Sequence, residues 1–272
     1  MPWAFSTRDS HDQLIDILLK SPIVFVDLDA VQHETCRHKV LAALLRSIRE
    51  SWRVDAELDA WFAALEGSVS GSLYWPVFAR IKTPADDGEQ GQLFPVAFRF
   101  PSLIIAHTLV LYWTAAVILR QYLCYLYQRV EELVGDTEAL GAAPCTCVLD
   151  GQGANPEVAT ADGPTACLRH FKKHELPPLR HRKDWTKTVA RDLCQSVEYF
   201  LEDSMRCLGP AAILPSLMAV GWLLEHEPGD WARELTWVNY MMGLVQRKGN
   251  EIAGCTESQL DEYRGIAAGW QL

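Results

Sequence analysis

The sequence predicts an all-α fold, a single multi-helix domain over residues 1–272 with a long apolar helix at its centre. Two observations support this prediction. Apolar residues recur at helical spacing along most of the chain, and residues 102–119 form an almost unbroken apolar run. Of the 272 residues, 49% are hydrophobic, a composition that supplies a sizeable core.

The apolar run at 102–119 is about as long as a bilayer-spanning helix. A helix that is apolar on every face is either a membrane span or the central helix of a large soluble core. This run contains His107, Thr108 and Thr114, and it continues as an amphipathic stretch over 122–134. We therefore expect a core helix and no membrane span.

Shorter amphipathic patterns predict the remaining helices. Asp9, Ser10 or Asp12 is expected to cap a helix over 13–19, and Asp55 to cap a helix separate from the one over 40–52. Three more helices are predicted over 185–202, over 211–225 and after Asp230. In the second of these, a proline at position 215 should kink the helix or mark its true start.

The segments between these helices lack periodicity. Residues 67–100 are irregular and include an acidic loop at 84–89. Residues 135–168 are rich in Gly and Ala, which predicts a flexible surface loop. The only run that resembles a strand is 23–26.

Charge and cysteine content restrict the function classes. The formal net charge is −10, whereas nucleic-acid binders are usually basic, so direct DNA binding is not expected. No apolar segment of signal-peptide length stands at the N-terminus, which predicts an intracellular protein, nuclear or cytoplasmic and not secreted. The eight cysteines are then expected to be free thiols in a reducing compartment.

Four short segments contain residue types that can carry chemistry. Residues 24–30 are similar to the nucleophile strand of haloacid-dehalogenase phosphatases, but Gly-Thr is replaced by Ala-Val; the alternative is a loop or helix start with solvated carboxylates. His33 and His38 are five apart, not the four of a zinc-protease helix. Cys167, His170 and His174 have helical spacing, but the surrounding Lys and Arg oppose a cation. We expect no metal and no cofactor.

The fourth segment is the basic stretch at 169–187. It could be a phosphate or nucleic-acid patch or a localisation signal, and the alternative is a solvated linker followed by a helix start.

The order of several soft motifs indicates a lineage. These motifs lie at 46–52, 73–75, 98–100, 111–113, 190–199, 209–210 and 234–237. With them, residues 40–253 resemble the fungal-specific transcription factor domain, the helical region that follows a six-cysteine zinc cluster in many fungal regulators. That cluster needs Cys-x2-Cys-x6-Cys twice, yet Cys36 is the only cysteine before Cys124. The resemblance therefore implies the helical regulatory domain of such a protein, and no DNA-binding module is predicted.

Two functions remain open. The first is a transcription-factor-like regulatory or interaction protein, tied to secondary-metabolite biosynthesis, that binds a small apolar metabolite or a protein partner. The second is a biosynthetic enzyme, cyclase- or pericyclase-like, that holds a terpenoid or polyketide substrate in a buried helical pocket and works mainly by positioning. No catalytic residue is predicted.

Candidate pocket residues are the polar and aromatic side chains expected inside the helical core, with ordinary core packing as the alternative for each. They are His107, Tyr112, Trp113, Arg191, Glu198, Trp237 and Asn239. The methionines that could line an adaptable cavity are Met205, Met218, Met241 and Met242. A closed cavity of roughly several hundred Å³ would favour ligand binding or catalysis, whereas a solid core with an exposed apolar patch would favour a protein partner.

Overall fold

The structure, a computed structural model, describes residues 9–20, 37–139, 176–179, 182–206, 208–226 and 229–253. Six α-helices and a two-stranded antiparallel sheet make up the regular structure of these residues, which confirms the all-α fold. The helices are α1 (Ser10–Leu18), α2 (Arg37–Ser68), α3 (Leu103–Ala139), α4 (Arg182–Phe200), α5 (Leu208–His226) and α6 (Ala232–Ala253), with a 3₁₀ turn at Asp203–Met205; the strands are β1 (Trp75–Phe78) and β2 (Val96–Arg99).

The chain divides into two compact units. The first unit comprises Met1–Ala64 and Leu119–Thr186, and the second comprises Leu65–Ile118 and Lys187–Leu272. Helix α3 contributes its first part to the second unit and the remainder to the first. The single-domain organisation inferred from the sequence stays a prediction.

In the first unit, α1 begins at a side-chain cap and is held against α2. The Asp9 carboxylate accepts a hydrogen bond from the backbone N–H of Asp12 at 2.8 Å, which confirms Asp9 as the N-cap. The Trp61 indole of α2 donates to the carbonyl oxygen of Ser10 at 2.8 Å. Since Leu14 is fully buried, α1 is fixed by both an apolar and a polar contact.

A second indole connects α2 to α3 in the same unit. Trp52 donates to the phenol oxygen of Tyr127 at 3.0 Å, and the Tyr127 hydroxyl donates to the carbonyl of Pro177 at 2.5 Å. Each Trp and Tyr thus buries an apolar ring while its polar atom is satisfied.

Asp55 does not cap a separate helix, and that prediction is wrong. Helix α2 runs without interruption from Arg37 to Ser68, and Asp55 lies in its interior with 5% of its side chain exposed. The carboxylate is 3.5 Å from Nε of Arg120 on α3, whose side chain is 4% exposed. Arg120 also lies 3.6 Å from the more exposed carboxylate of Asp59. No glycine or proline interrupts the helix near Asp55, so there is no helix start for it to cap. Its carboxylate instead forms a buried ion pair with Arg120.

In the second unit, β1 and β2 form a short antiparallel ribbon that the sequence did not predict, with Trp75 opposite Arg99 and Phe78 opposite Val96. The strand-like run at 23–26 lies outside the described residues.

An aromatic cluster fills the core next to this ribbon. The Trp113 ring of α3 is 5.6 Å from that of Tyr74 and 6.4 Å from that of Phe100, and Phe100 is 5.0 Å from Tyr199 of α4. The cluster joins the ribbon to two helices through edge-to-face and tilted contacts.

Helix α5 continues without a break across Pro215 and packs on its neighbours in the second unit. It begins at Leu208, so Pro215 lies inside the helix and does not mark its start. The hydroxyls of Thr114 of α3 and Ser216 of α5 share a hydrogen bond at 2.7 Å, and Thr114 also donates to the carbonyl of Val110 at 2.6 Å, so both polar groups are satisfied in an apolar contact. Helix α3 continues to Ala139, within the range predicted as a loop, and the rest of that range after 139 lies outside the described residues.

We predict a pH-dependent contribution of Asp55 to stability. Burial raises the pKa of Asp55 from 3.8 to about 6, although the Arg120 guanidinium opposes this rise. Because the folded state holds the proton more tightly, the associated stability is full below pH 3.8 and is lost as the pH rises through about 6. Comparison of the native chain with Asp55→Asn by urea unfolding should show their difference in unfolding free energy falling by about 2–3 kcal/mol between about pH 4 and 7. A constant difference would contradict the burial effect.

We predict opposite effects for two glycines of α5. A Cβ at Gly209 would overlap the carbonyl oxygen of Phe200 and lie 2.7 Å from Cβ of Met205, whereas a Cβ at Gly221 would meet Val238 Cγ1 at 3.5 Å. Gly209→Ala should therefore cost about 2 kcal/mol or more of unfolding free energy. Gly221→Ala should be neutral or stabilise by up to about 1 kcal/mol, because alanine favours the helix and its methyl group fits. Thermal unfolding of both variants measures the contrast.

Candidate functional site

A small cavity lies in the second unit between the ribbon, α4 and α6. Its volume is about 10 Å³, which is room for about one water molecule. Its lining residues are Ala79, Ile81, Phe94, Val96, Ala97, Cys194, Gln195, Glu198, Trp237 and Met241. Two of the candidate pocket residues, Glu198 and Trp237, and one of the candidate methionines, Met241, are therefore brought together here.

The most polar group at this cavity, Glu198 of α4, is engaged with the backbone. Both of its carboxylate oxygens lie 2.9 Å from the backbone N–H of Arg80, and Oε1 also accepts from the N–H of Ile81 at 2.9 Å. A buried or half-buried backbone donor needs such a partner. Glu198 therefore fixes the chain after β1 to α4, and both of its carboxylate oxygens accept hydrogen bonds from the protein itself.

The loop between the strands is held at a second point by Arg233 of α6, a residue that the sequence analysis missed. Its Nε donates to the carbonyl of Ala85 at 3.1 Å, Nη1 to Oε1 of Gln90 at 2.5 Å, and Nη2 to the carbonyl of Gly91 at 3.1 Å. The acidic segment at 84–89 is thus part of an ordered turn. The N–H groups of one guanidinium hold this turn by donating hydrogen bonds to it.

Asp86 closes the same turn from within. One carboxylate oxygen accepts from the N–H of Thr83 at 2.7 Å and the other from the N–H of Leu93 at 3.0 Å. Aspartate commonly satisfies local backbone donors in this way. The position of Asp86, two residues after Pro84 in a segment of turn-forming residues, is a sequence signal for such a turn.

The other candidate residues occupy three different settings. Tyr112 and Trp113 are 6% and 3% exposed, and Trp113 belongs to the aromatic cluster. His107 is half-buried on α3, whereas Arg191 and Asn239 are exposed on α4 and α6. These five residues do not line the 10 Å³ cavity.

The titratable groups near the cavity do not form a reactive set. Burial raises the pKa of the Cys194 thiol, which keeps the sulfur protonated and poorly nucleophilic. Burial also raises the pKa of Asp192 to about 6, against the lowering effect of Arg191. The pKa of Tyr74 is raised by burial and further by the carboxylates of Asp192 and Glu66. Neither Asp192 nor Tyr74 lines the cavity, so their protons are not presented to it.

The motif-like segments of the sequence fall mainly outside the part of the chain that the structure describes. This applies to the phosphatase-like residues 24–30, to Cys167, His170 and His174, to His33, and to residues 169–175, 180 and 181 of the basic stretch. Lys187, at its end, is exposed with Nζ 4.8 Å above the Trp231 ring, a cation–π contact. Among the described residues, no three His, Cys, Asp or Glu side chains are grouped to hold a metal ion.

Of the helices that the structure describes, two are long and apolar enough to cross a bilayer by length and composition, α3 over Leu103–Val134 and α5 over Leu208–His226. In each, about half of the most apolar window is buried within the protein. Core helices of soluble proteins have the same property, so the absence of a membrane span stays a prediction.

Helix α5 exposes an apolar face on the side away from the core. We call it the outer face of α5. Leu208, Met218 and Trp222 are 64%, 55% and 52% exposed. The exposed residues of this face are Leu208, Ala211, Pro215, Met218, Trp222 and Glu225. Because all but the last are apolar, this face differs from an ordinary solvated helix surface.

Comparison of the chain with protein-family models, curated proteins and solved structures gave no match.

We predict that Glu198 stabilises the loop and that its charge is required. Glu198→Gln keeps the size of the side chain but replaces one acceptor oxygen with an N–H₂ donor. Hydrogen bonds to charged acceptors are worth about 1.5–3 kcal/mol, so the unfolding free energy should fall by about 2 kcal/mol. Hydrogen exchange should show faster exchange at the amides of Arg80 and Ile81. Glu89→Gln, an exposed change in the same loop, should stay within about 0.5 kcal/mol. Unchanged protection at both amides would contradict the assignment.

Proposed function

We propose that this chain is a regulatory or interaction protein that acts by binding a protein partner through the outer face of α5. The observation that carries the proposal is the exposure of three large apolar side chains on one face of one helix. Complete burial of such a side chain is worth about 1.5–3 kcal/mol, so a partner that covers this face gains a substantial free energy.

The cavity beside the ribbon fits the proposal of a protein partner better than that of a small metabolite. The cavity of about 10 Å³ is far smaller than the roughly 300–1,000 Å³ of ligand pockets. Its carboxylate, Glu198, is already bonded to backbone N–H groups, and Trp237 packs edge-to-face on Phe94 at 4.7 Å. A terpenoid- or polyketide-sized molecule would have to displace this packing.

Two features of the sequence support the regulatory part of the proposal. The order of motifs over 40–253 resembles the fungal-specific transcription factor domain, which suggests a body that responds to partners in a fungal regulator. The net charge of −10 favours a role through protein contacts instead of direct sequence-specific contact with DNA. A link to secondary-metabolite biosynthesis and a nuclear or cytoplasmic location belong to the same proposal.

The test compares host strains that carry a gene deletion, the native gene or Trp222→Glu. Because Trp222 is 52% exposed, the substitution should leave the fold intact while placing a charge on the outer face. We expect the deletion and Trp222→Glu to change transcript levels of a common gene set by about tenfold, the effect of losing about 1.4 kcal/mol of binding. Transcript and metabolite profiling of each strain provides the measurement.

Phe78→Glu is the matched control, since Phe78 is an aromatic residue of β1 that is 88% exposed and lies outside α5. The transcript levels of the Phe78→Glu strain should match those of the native strain. Unchanged transcripts in the deletion strain, together with an accumulated biosynthetic intermediate, would refute the regulatory proposal and favour the enzyme.

A further inference from the structure

We propose that the outer face of α5 binds the same face of a second copy of this chain, with the two helices antiparallel about a two-fold axis. This inference deepens the proposed function by naming the partner of that surface, and it rests on the outer face being an interaction site. Its test is chosen so that the dimer can fail while the regulatory role stands.

The spacing of the exposed residues is that of a helix-pairing seam. The outer-face positions 208, 211, 215, 218, 222 and 225 are separated by three, four, three, four and three residues. This alternation is the a/d repeat through which two helices pack along a common line. At 1.5 Å per residue the 19-residue helix is about 28 Å long, so the seam extends over nearly its whole length.

The same helix has a separate inner face that is already used. Ile213, Leu217 and Val220 are 0%, 0% and 1% exposed, and Ser216 bonds to Thr114 of α3. The seam is therefore additional to the packing of the second unit. Pairing through it would require no rearrangement of the core.

The seam is self-complementary in size when two copies are antiparallel. With the axis midway between positions 216 and 217, Ala211 lies opposite Trp222 of the other copy, and Pro215 lies opposite Met218. The largest side chain of the seam then faces the smallest, which allows close packing without a clash. A parallel pair would instead place Trp222 against Trp222 and leave a gap between the two Ala211 methyl groups. A two-fold interface needs this kind of self-complementarity.

The charges at the ends of the seam favour the same direction. Arg206, exposed just before α5, and Glu225, exposed near its end, carry opposite charges. In an antiparallel pair, Glu225 of each copy lies near Arg206 of the other and near the positive N-terminal end of that helix. In a parallel pair, like charges would meet at both ends. The charge pattern therefore points to a second copy in antiparallel orientation.

A lipid surface is a weaker fit to the same face. The seam is bounded by Arg206 and Glu225 at its ends, and the chain carries a net charge of −10, which repels anionic headgroups. A bilayer also has no preference for the alternation of large and small side chains.

The first experiment measures self-association of the full chain by sedimentation equilibrium at about 0.15 M salt, where long-range repulsion between the acidic chains is screened. A seam on one helix buries less area than a large obligate interface, so we expect a monomer–dimer equilibrium with a Kd on the order of 10 µM. Trp222→Glu should weaken it at least about 100-fold, because a charge would replace the largest apolar side chain of the seam in both copies. Phe78→Glu, outside the seam, should leave Kd unchanged, and circular dichroism should show that both variants are folded.

The second experiment tests the direction of pairing by charge exchange. Arg206→Glu and Glu225→Arg should each weaken the dimer about tenfold, since each places like charges together at both ends of the pair. The double variant should restore the native Kd. In a parallel dimer, position 225 of one copy faces position 225 of the other, so Glu225→Arg only exchanges one pair of like charges for another. The single variants would then not weaken the dimer and the double variant would have nothing to restore. This outcome would overturn the antiparallel assignment.

A chain that stays monomeric up to about 500 µM would overturn the inference, since that is well above the expected Kd. So would a monomeric chain whose Trp fluorescence shifts to the blue on neutral phosphatidylcholine vesicles while that of Trp222→Glu does not; the variant is needed because the chain has ten Trp, and the result would identify a lipid surface. If the chain is monomeric but Trp222→Glu still changes transcripts in the host, the regulatory role stands and its partner is another protein. A dimer with native transcripts in the Trp222→Glu strain supports this inference and contradicts the proposed function.

Discussion

Helix α5 is apolar on every side, and the second unit covers only one of those sides. Its inner face is fully used: Ile213 and Leu217 are buried, and Gly221 leaves space for Val238 of α6 to approach. The opposite side keeps Met218 and Trp222 more than half exposed. A helix with this composition normally has apolar neighbours all round. The interaction proposals follow from this imbalance, because hydrophobic surface left in water favours association.

The polar side chains near the ribbon explain why the cavity that Glu198 and Trp237 line is so small. Glu198 and Arg233 extend from two helices to the loop that joins the strands, and each is hydrogen-bonded to backbone or side-chain partners in that loop. Such contacts bring the loop close to α4 and α6, and the gap between them shrinks to about one water molecule. Of the candidate pocket residues, Glu198 is hydrogen-bonded to this loop and Trp237 packs on Phe94. The aromatic cluster around Trp113 packs next to the same ribbon.

The parts of the fold that could be predicted are those with local causes. Helices α1, α4 and α5 follow from apolar spacing over a few turns, and the Asp9 cap acts on a residue three positions away. The roles of Asp55 and Glu198 could not be found in this way, since Arg120 lies on another helix and Glu198 bonds to a residue 118 positions away. The four-residue strands are too short to show a period. Local sequence patterns do not determine which residues far apart in the chain will contact each other.

The outer face of α5 lies between these two cases. Its three–four spacing is present in the sequence, but the inner face of the same helix has apolar residues at similar spacing, so the pattern alone does not say which side is outward. The bonded Ser216 and the buried Leu217 assign the inner side, and the seam of Met218 and Trp222 is then the outer one. A composition suited to a membrane span thus equally suits a helix with two packing faces. In the antiparallel pair that we propose, Arg206 of one copy lies near Glu225 of the other and Ala211 faces Trp222, so the second packing face has a specific occupant.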